Sequence, residues 1–365
     1  MTSAPRGTWA IAAALALGAL LAQPAPADPR RETALKSVGK AARVAAAPAV
    51  QISPLPALLS GTGLYRSGST SEVAPQNWPY SPQYPLWSDG ALKRRWISLP
   101  LGTTIDASNP EEWQFPVGTR FWKEFSFAGE RVETRFIERL SDGAYRYASY
   151  VWDRALGDAR LAPEGGVLGV SEIAPGVQHD VPARSDCRVC HEGRTTPVLG
   201  FRALQLSTDR DPLAPHVEPL PPGATDLQAL MQRGLLVNFP EAWLTQAPRI
   251  RAPSATARAA AGYFYGNCAH CHSAHGPLSK LDLELDPSLT PEGYRAMLAS
   301  VARHLSNYHL PGAETSQRIV PGRPEESALW FRMQSRFAAA QMPPLGTKLV
   351  DREAIRLIDR FIHQL

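Results

Sequence analysis

The first 178 residues of this 365-residue chain contain no histidine and no cysteine, and their only methionine is Met1. A histidine-rich copper or zinc site, or a Cys-His hydrolase, has no materials in that half. The formal net charge is only +4, which leaves no basic footprint for nucleic acid. Long apolar runs are also missing. The longest, from Trp9 to Ala22, is about 14 residues, short of the roughly 20 that cross a bilayer. It follows Arg6 and precedes Ala25-Pro26-Ala27, an A-x-A cleavage site before Asp28, so residues 1–27 read as an export signal. No cysteine follows the apolar run, which excludes a lipoprotein anchor, and no membrane span is expected after cleavage. Export of this kind places the mature chain in the periplasm.

Cysteine is scarce but not scattered. All four cysteines fall in two motifs, Cys187-Arg-Val-Cys190-His191 and Cys268-Ala-His-Cys271-His272, leaving none for a structural disulfide. Cys-x-x-Cys-His is the attachment signature of c-type haem. Two cysteines one turn apart can add across the two haem vinyl groups, and the following histidine then faces the iron. The reading is two covalent haem c groups, with Cys187, Cys190, Cys268 and Cys271 as attachment points and His191 and His272 as iron ligands. Half a zinc site or a redox CxxC is the alternative for the second motif, and a disulfide or a zinc site for the first.

Residues 28–54, rich in Ala, Pro, Arg and Lys, read as a linker. Residues 55–181 form a β-rich domain. There Val132, Thr134, Phe136 and Leu140 alternate with Arg131, Glu133, Arg135 and Arg139, the pattern of a half-buried strand. Phe121–Phe127 and Tyr145–Trp152 flank it as strands, with turns at Ala128-Gly129 and Asp142-Gly143. Such a meander is expected to be one sheet of a small antiparallel β-sandwich. The six tryptophans from Trp78 to Trp152 are explained by core packing. Residues 182–250 carry the first motif in a loop-rich segment, since Pro175, Gly176 and Pro182 allow no long helix before it.

Residues 251–365 turn helical. Ala255–Asn267 leads directly into Cys268, Glu325–Phe337 reads as a second helix, and Asp351 caps a terminal helix with Ile355, Ile358, Ile362 and Leu365 at helical spacing. The first and last helices are expected to cross near Gly262 and Phe361. Met342-Pro343-Pro344 lies 70 residues after His272. A thioether held by a proline-rich loop suits haem iron, and His/Met ligation leaves no open coordination position. Met342 is therefore the expected sixth ligand of the second haem, with core filling as its alternative. His270 and His275, beside the motif, read as surface residues.

These helices, the second motif and Met342-Pro-Pro resemble a class I cytochrome c domain. Tyr84-Pro-Leu-Trp-Ser-Asp-Gly-Ala91, Lys93-Arg-Arg-Trp96, Phe115-Pro-Val-Gly-Thr119, the first motif with Leu199-Gly200, and Pro321-Gly-Arg-Pro324 extend the likeness. Over roughly residues 60–365 the chain resembles a poorly characterised family of exported bacterial dihaem c-type cytochromes. The resemblance implies haem binding and electron carriage, and brings no established substrate. The fold it suggests is α+β and multidomain, with a β-sandwich-like N-terminal domain, a loop-rich haem segment and an all-α C-terminal cytochrome c domain.

The sixth ligand of the first haem is open. His216, in a Pro-rich loop, is the favoured residue, with Met231, His304 and His309 as other donors and a lysine or tyrosine as an unusual one. Electron transfer to periplasmic redox partner proteins is the expected function. The alternative is a dihaem oxidoreductase, peroxidase- or oxidase-like, whose open first haem is fed by the second. A third reading makes the β-rich part a ligand-binding module with haem as its redox reporter.

Overall fold

A computed structural model describes residues 53–193 and 196–365. The expected export signal and residues 28–52 of the expected linker lie outside the described residues. The strands are β1 (Trp78–Pro79), β2 (Leu92–Ser98), β3 (Ile105–Asp106), β4 (Arg120–Phe127), β5 (Glu130–Arg139), β6 (Tyr145–Asp153), β7 (Asp158–Leu161), β8 (Val167–Ala174), β9 (Val177–Val181) and β10 (Leu236–Val237). The helices are α1 (Arg184–His191), α2 (Leu227–Gln232), α3 (Ala242–Thr245), α4 (Ala255–Asn267), α5 (Gly293–Val301), α6 (Ala328–Gln334) and α7 (Arg352–His363).

The meander expected from the alternation forms. Strands β1-β2-β4-β5-β6-β7 pair in that order as one antiparallel sheet. Ala128 and Gly129 both take positive φ, 47° and 84°, the geometry of a tight hairpin turn whose twist matches its strands. One face packs Trp96, Trp122, Phe136 and Tyr150 against Leu59, Leu64 and Tyr65. The opposite face packs Ile97 and Phe121 against Trp113, Phe115, Phe201 and Leu230.

Two expectations about architecture are overturned. No sandwich is built, because the sheet's second face is covered by irregular chain, α2 and two small two-stranded ribbons, β3 with β10 and β8 with β9. Nor do residues 251–365 make an all-α domain. Its helices α4 to α7 are joined by long irregular segments carrying isolated bridges, Ala302 with Ile319, Leu305 with Gln317 and Gln317 with Ser327. The expected helix at Glu325–Phe337 is reduced to α6 and a preceding single turn at Pro324–Glu326. Pro311-Gly312 and Pro321-Gly322-Arg323-Pro324 explain these breaks, since proline cannot donate and glycine gives the chain free rotation. The protein is mainly β-rich, and its described residues form one compact unit.

The helical core also borrows from the N-terminal half. Phe264 on α4 meets Phe361 on α7 edge to face, with ring centroids 6.1 Å apart, so the first and last helices do pack. Gly262 is not at that crossing. It faces Tyr84, and a Cβ built there would lie 1.9 Å from the Tyr84 ring; one at Gly266 would lie 2.3 Å from the Tyr84 carbonyl oxygen. Tyr84 is fixed from its other side: its amide donates to Gln205 Oε1 (2.9 Å) and its hydroxyl to Asp211 Oδ2 (3.1 Å). In an open helix a Gly→Ala change stabilises by about 0.5–1 kcal/mol. Here Gly262→Ala should instead lower the unfolding free energy in urea by about 2–3 kcal/mol, because the ring cannot retreat. A variant as stable as the parent would refute the Tyr84 wedge.

Candidate functional site

The second motif sits where α4 ends. Ser254 caps the start of α4 by accepting from Ala257 N–H, and the amides of Cys268 and Ala269 close its end on Phe264 O. The next turn carries Cys271 and His272, whose amides both donate to Cys268 O. Cys268, Cys271 and His272 line a cavity of about 1060 Å³, open mouth included, and Met342 and Pro343 line the same cavity. Four residues picked out from the sequence, on two segments far apart in the chain, therefore converge. Leu283, Leu285, Leu329 and Met333 make the walls apolar.

Among the described lining residues three arginines stand beside one carboxylate, Asp351. Arg318, Arg332 and Arg336 line the cavity, and among the described residues none is ion-paired to a carboxylate. They rest on backbone carbonyls instead: Arg318 on Ser300 O, Arg332 on Ala340 O and Arg336 on Met333 O. Burial lowers the pKa of Arg332 and Arg336, and Arg336 Nε is buried without a hydrogen-bond partner. His272 is pushed down to about 4 by burial, which keeps its imidazole neutral and able to donate a lone pair. Its Nδ1 is also buried and unpartnered. Apolar walls, paired thiols, a neutral imidazole, a thioether and an excess of cations suit a flat apolar group bearing carboxylates, such as haem.

Sequence reasoning missed the role of Tyr84–Ala91, although it had singled out those residues. Trp87 lines the cavity; its amide donates to Asn267 Oδ1 (2.7 Å) and its indole to Leu349 O (3.2 Å). Asp89 accepts from the amides of Lys348 and Leu349 at 2.8–3.0 Å. One short segment thus ties the end of α4 to the chain just after the Met342 loop. Among sequence signals, only the density of aromatic, proline and turn residues marked it.

The first motif is built differently. Cys187, Cys190 and His191 lie on the eight-residue α1, which is packed near β6. Asp186 accepts from Ala183 N–H at 3.0 Å and so closes the helix start. The His191 ring lies 5.4 Å from that of Tyr147, and its Nδ1 is 2.5 Å from Pro197 O. A carbonyl accepts only, so Nδ1 carries the proton and Nε2 is left with its lone pair, the tautomer a metal-binding histidine needs. The neighbouring Thr196 is itself fixed, donating to Trp113 O at 3.0 Å. Burial pushes His191 down to about 4.

Beneath α1 runs a cross-strand row of cations, Arg95, Lys123 and Arg135, on one face of the sheet. Arg95 pairs with Glu218 and Arg135 with Glu133, whereas Lys123 has no ion pair among the described residues. Burial holds Lys123 well below the usual lysine value. The alternation had suggested that Glu133 and Arg135 face solvent. Glu133 is instead completely buried, bonded to Arg135 at 2.7 Å and to His179 Nε2 at 3.1 Å.

The candidates for the sixth ligand of the first haem are dispersed. His216 lies at the second site, with Nε2 2.8 Å from Asp351 Oδ1, Nδ1 3.4 Å from Glu353 and its ring over Trp87. Both nitrogens face carboxylates, so neither is directed at α1. Met231 packs into the core under the sheet, and His304 and His309 are exposed. His275 is exposed as expected, but His270 is buried at 9% exposure and its side chain lies near Cys190. Among the described residues no group of three His, Cys, Asp or Glu side chains is arranged to hold a bare metal ion.

Comparison with protein-family models, with curated proteins and with solved structures finds no match.

The buried Glu133 gives a pH prediction. Desolvation alone would raise its pKa, but Arg135 and then His179 outweigh it and hold the carboxyl at about 2, against 4.5 unperturbed. A depressed carboxylate stabilises the fold fully above pH 4.5, and that contribution fades as pH falls towards 2. Glu133→Gln should therefore lower the urea midpoint at pH 7, with the gap from the parent narrowing below pH 4.5. A gap that stays constant with pH would exclude the ion pair.

Proposed function

We propose that this chain is an exported dihaem c-type cytochrome that carries two covalent haems and passes electrons between periplasmic redox proteins. The carrying observation is the cavity in which Cys268, Cys271, His272 and Met342 meet beside three arginines that lack carboxylate partners. The His191 tautomer, set by Pro197 O, supports the same reading for the first motif. Among the described residues no helix is long and apolar enough to cross a membrane.

When bound, the haem supplies one-electron chemistry at iron, and the protein supplies attachment, ligands and charge. Each thiol adds across one vinyl group: the S–H bond and the C=C π bond are lost, a C–S and a C–H bond form, and no electrons are exchanged. His272 and His191 offer neutral imidazoles. Met342 offers a soft sulfur that raises the reduction potential relative to a second histidine. The arginines on the cavity wall would neutralise the propionates, which also favours the reduced state less than an unpaired cation would. The likeness to exported dihaem cytochromes, in Tyr84–Ala91 and the two motifs, agrees with this proposal.

Pyridine haemochrome analysis of the full chain, matured in a host with haem c assembly, should give two haems per chain. Cys187→Ala/Cys190→Ala and Cys268→Ala/Cys271→Ala should each retain one. Met342→Ala should lose the weak thioether-to-iron absorption band and lower the potential of one haem while leaving the haem count at two. A chain that emerges with no haem, or a band that persists without Met342, defeats the respective assignment.

A further inference from the structure

The two motifs, 77 residues apart from His191 to Cys268, abut in the fold. The Cys190 and Cys271 side chains lie near enough to act on each other, and the buried His270 lies near Cys190 as well. The backbone packing shows the same closeness independently. Gly193, just past α1, leaves no room for a side chain: a Cβ there would stand 2.6 Å from Pro277 Cδ and 3.4 Å from His270 O. The chain just past the first motif is thus packed against the second motif and the chain just past it, with Cys190 and Cys271 close by.

We propose that the two haems form a directly coupled pair, adjacent at the edges attached to Cys190 and Cys271. This inference rests on the proposed haem attachment. Groups bonded to two nearby cysteine sulfurs are themselves neighbours, and each thioether consumes only the S–H hydrogen of its cysteine. The relation differs from a wire of two separated carriers. Oxidation of one iron adds a positive charge next to the other, in a medium that screens poorly. Electron uptake by the pair is then anticooperative, and the two porphyrin transitions mix.

The arrangement also gives His270 and Gly193 a purpose. His270 is the middle residue of its motif and takes no part in attachment, yet it reaches across to the other motif. Gly193 is the residue whose missing side chain lets the two segments close. A bulkier residue there would move the motifs apart without removing any attachment point or ligand.

The test uses the two-haem holoprotein. Soret circular dichroism should show a bisignate couplet in the fully oxidised and fully reduced states, weakened at half reduction, when the two transitions no longer match in energy. The couplet should be absent from each single-haem variant. In spectroelectrochemistry, the affinity of one haem for an electron should change about tenfold when the other is oxidised or removed. Gly193→Leu, still carrying two haems, should reduce both effects. Either signature supports the pair. A two-haem protein whose dichroism is the sum of its single-haem variants, and whose haems titrate independently, overturns it while leaving the proposed function intact. A haem count below two strikes the functional reading itself.

Discussion

The position of the second motif depends on one aromatic ring. Tyr84 fills the groove that Gly262 and Gly266 leave along α4, and α4 ends at Cys268. Because Gln205 holds the Tyr84 amide and Asp211 its hydroxyl, the helix cannot slide without breaking buried hydrogen bonds. The chain then runs on from Tyr84 to Trp87 and Asp89, which hold Asn267 and the Lys348–Leu349 amides. Both walls of the cavity, the attachment motif and the Met342 loop, are therefore registered against the same six residues. Lys348 is pinned a second time, by Asp180 on the β8–β9 hairpin at 2.5 Å. Wall segments that are loops when taken alone need such a common reference to keep their side chains in a fixed relation.

Much of this was legible in the residues and some was not. Alternation in Arg131–Leu140, with Ala128-Gly129 and Asp142-Gly143, was enough to place the meander. The approach to Cys268 and the cap at Asp351 were enough for α4 and α7. The two Cys-x-x-Cys-His motifs and Met342 were singled out by residue type and order alone, and the fold brings Cys268, Cys271 and His272 of the second motif to one cavity with Met342. What failed were contacts between distant parts of the chain. Gly262 signalled a close approach, but not that its partner would be Tyr84 instead of a helix. Glu133 and Arg135 read as a solvent face, because nothing local shows that α1 and the β8–β9 hairpin will cover them. His270 read as exposed for the same reason. The all-α domain failed on information that was present: the proline and glycine pairs between α5 and α7 were in plain view and were outweighed by resemblance.

Charge explains why an extended cofactor suits the assembly better than packing alone. Elsewhere in the protein buried carboxylates are matched: Glu124 by Arg94, Glu138 by Arg120 and Arg146, Glu218 by Lys93 and Arg95. Around the motifs the balance tips to cations. Lys123 lies under α1, and Arg202, only 5% exposed, has Nε and Nη2 buried without hydrogen-bond partners in a crevice it shares with His270. Arg318, Arg332 and Arg336 line the main cavity. Of these, Arg202 is the buried one, and a buried unpaired cation costs several kcal/mol; Lys123, Arg318, Arg332 and Arg336 are partly exposed. On the proposed reading, haem propionates would meet these cations and the macrocycles would supply apolar surface between them.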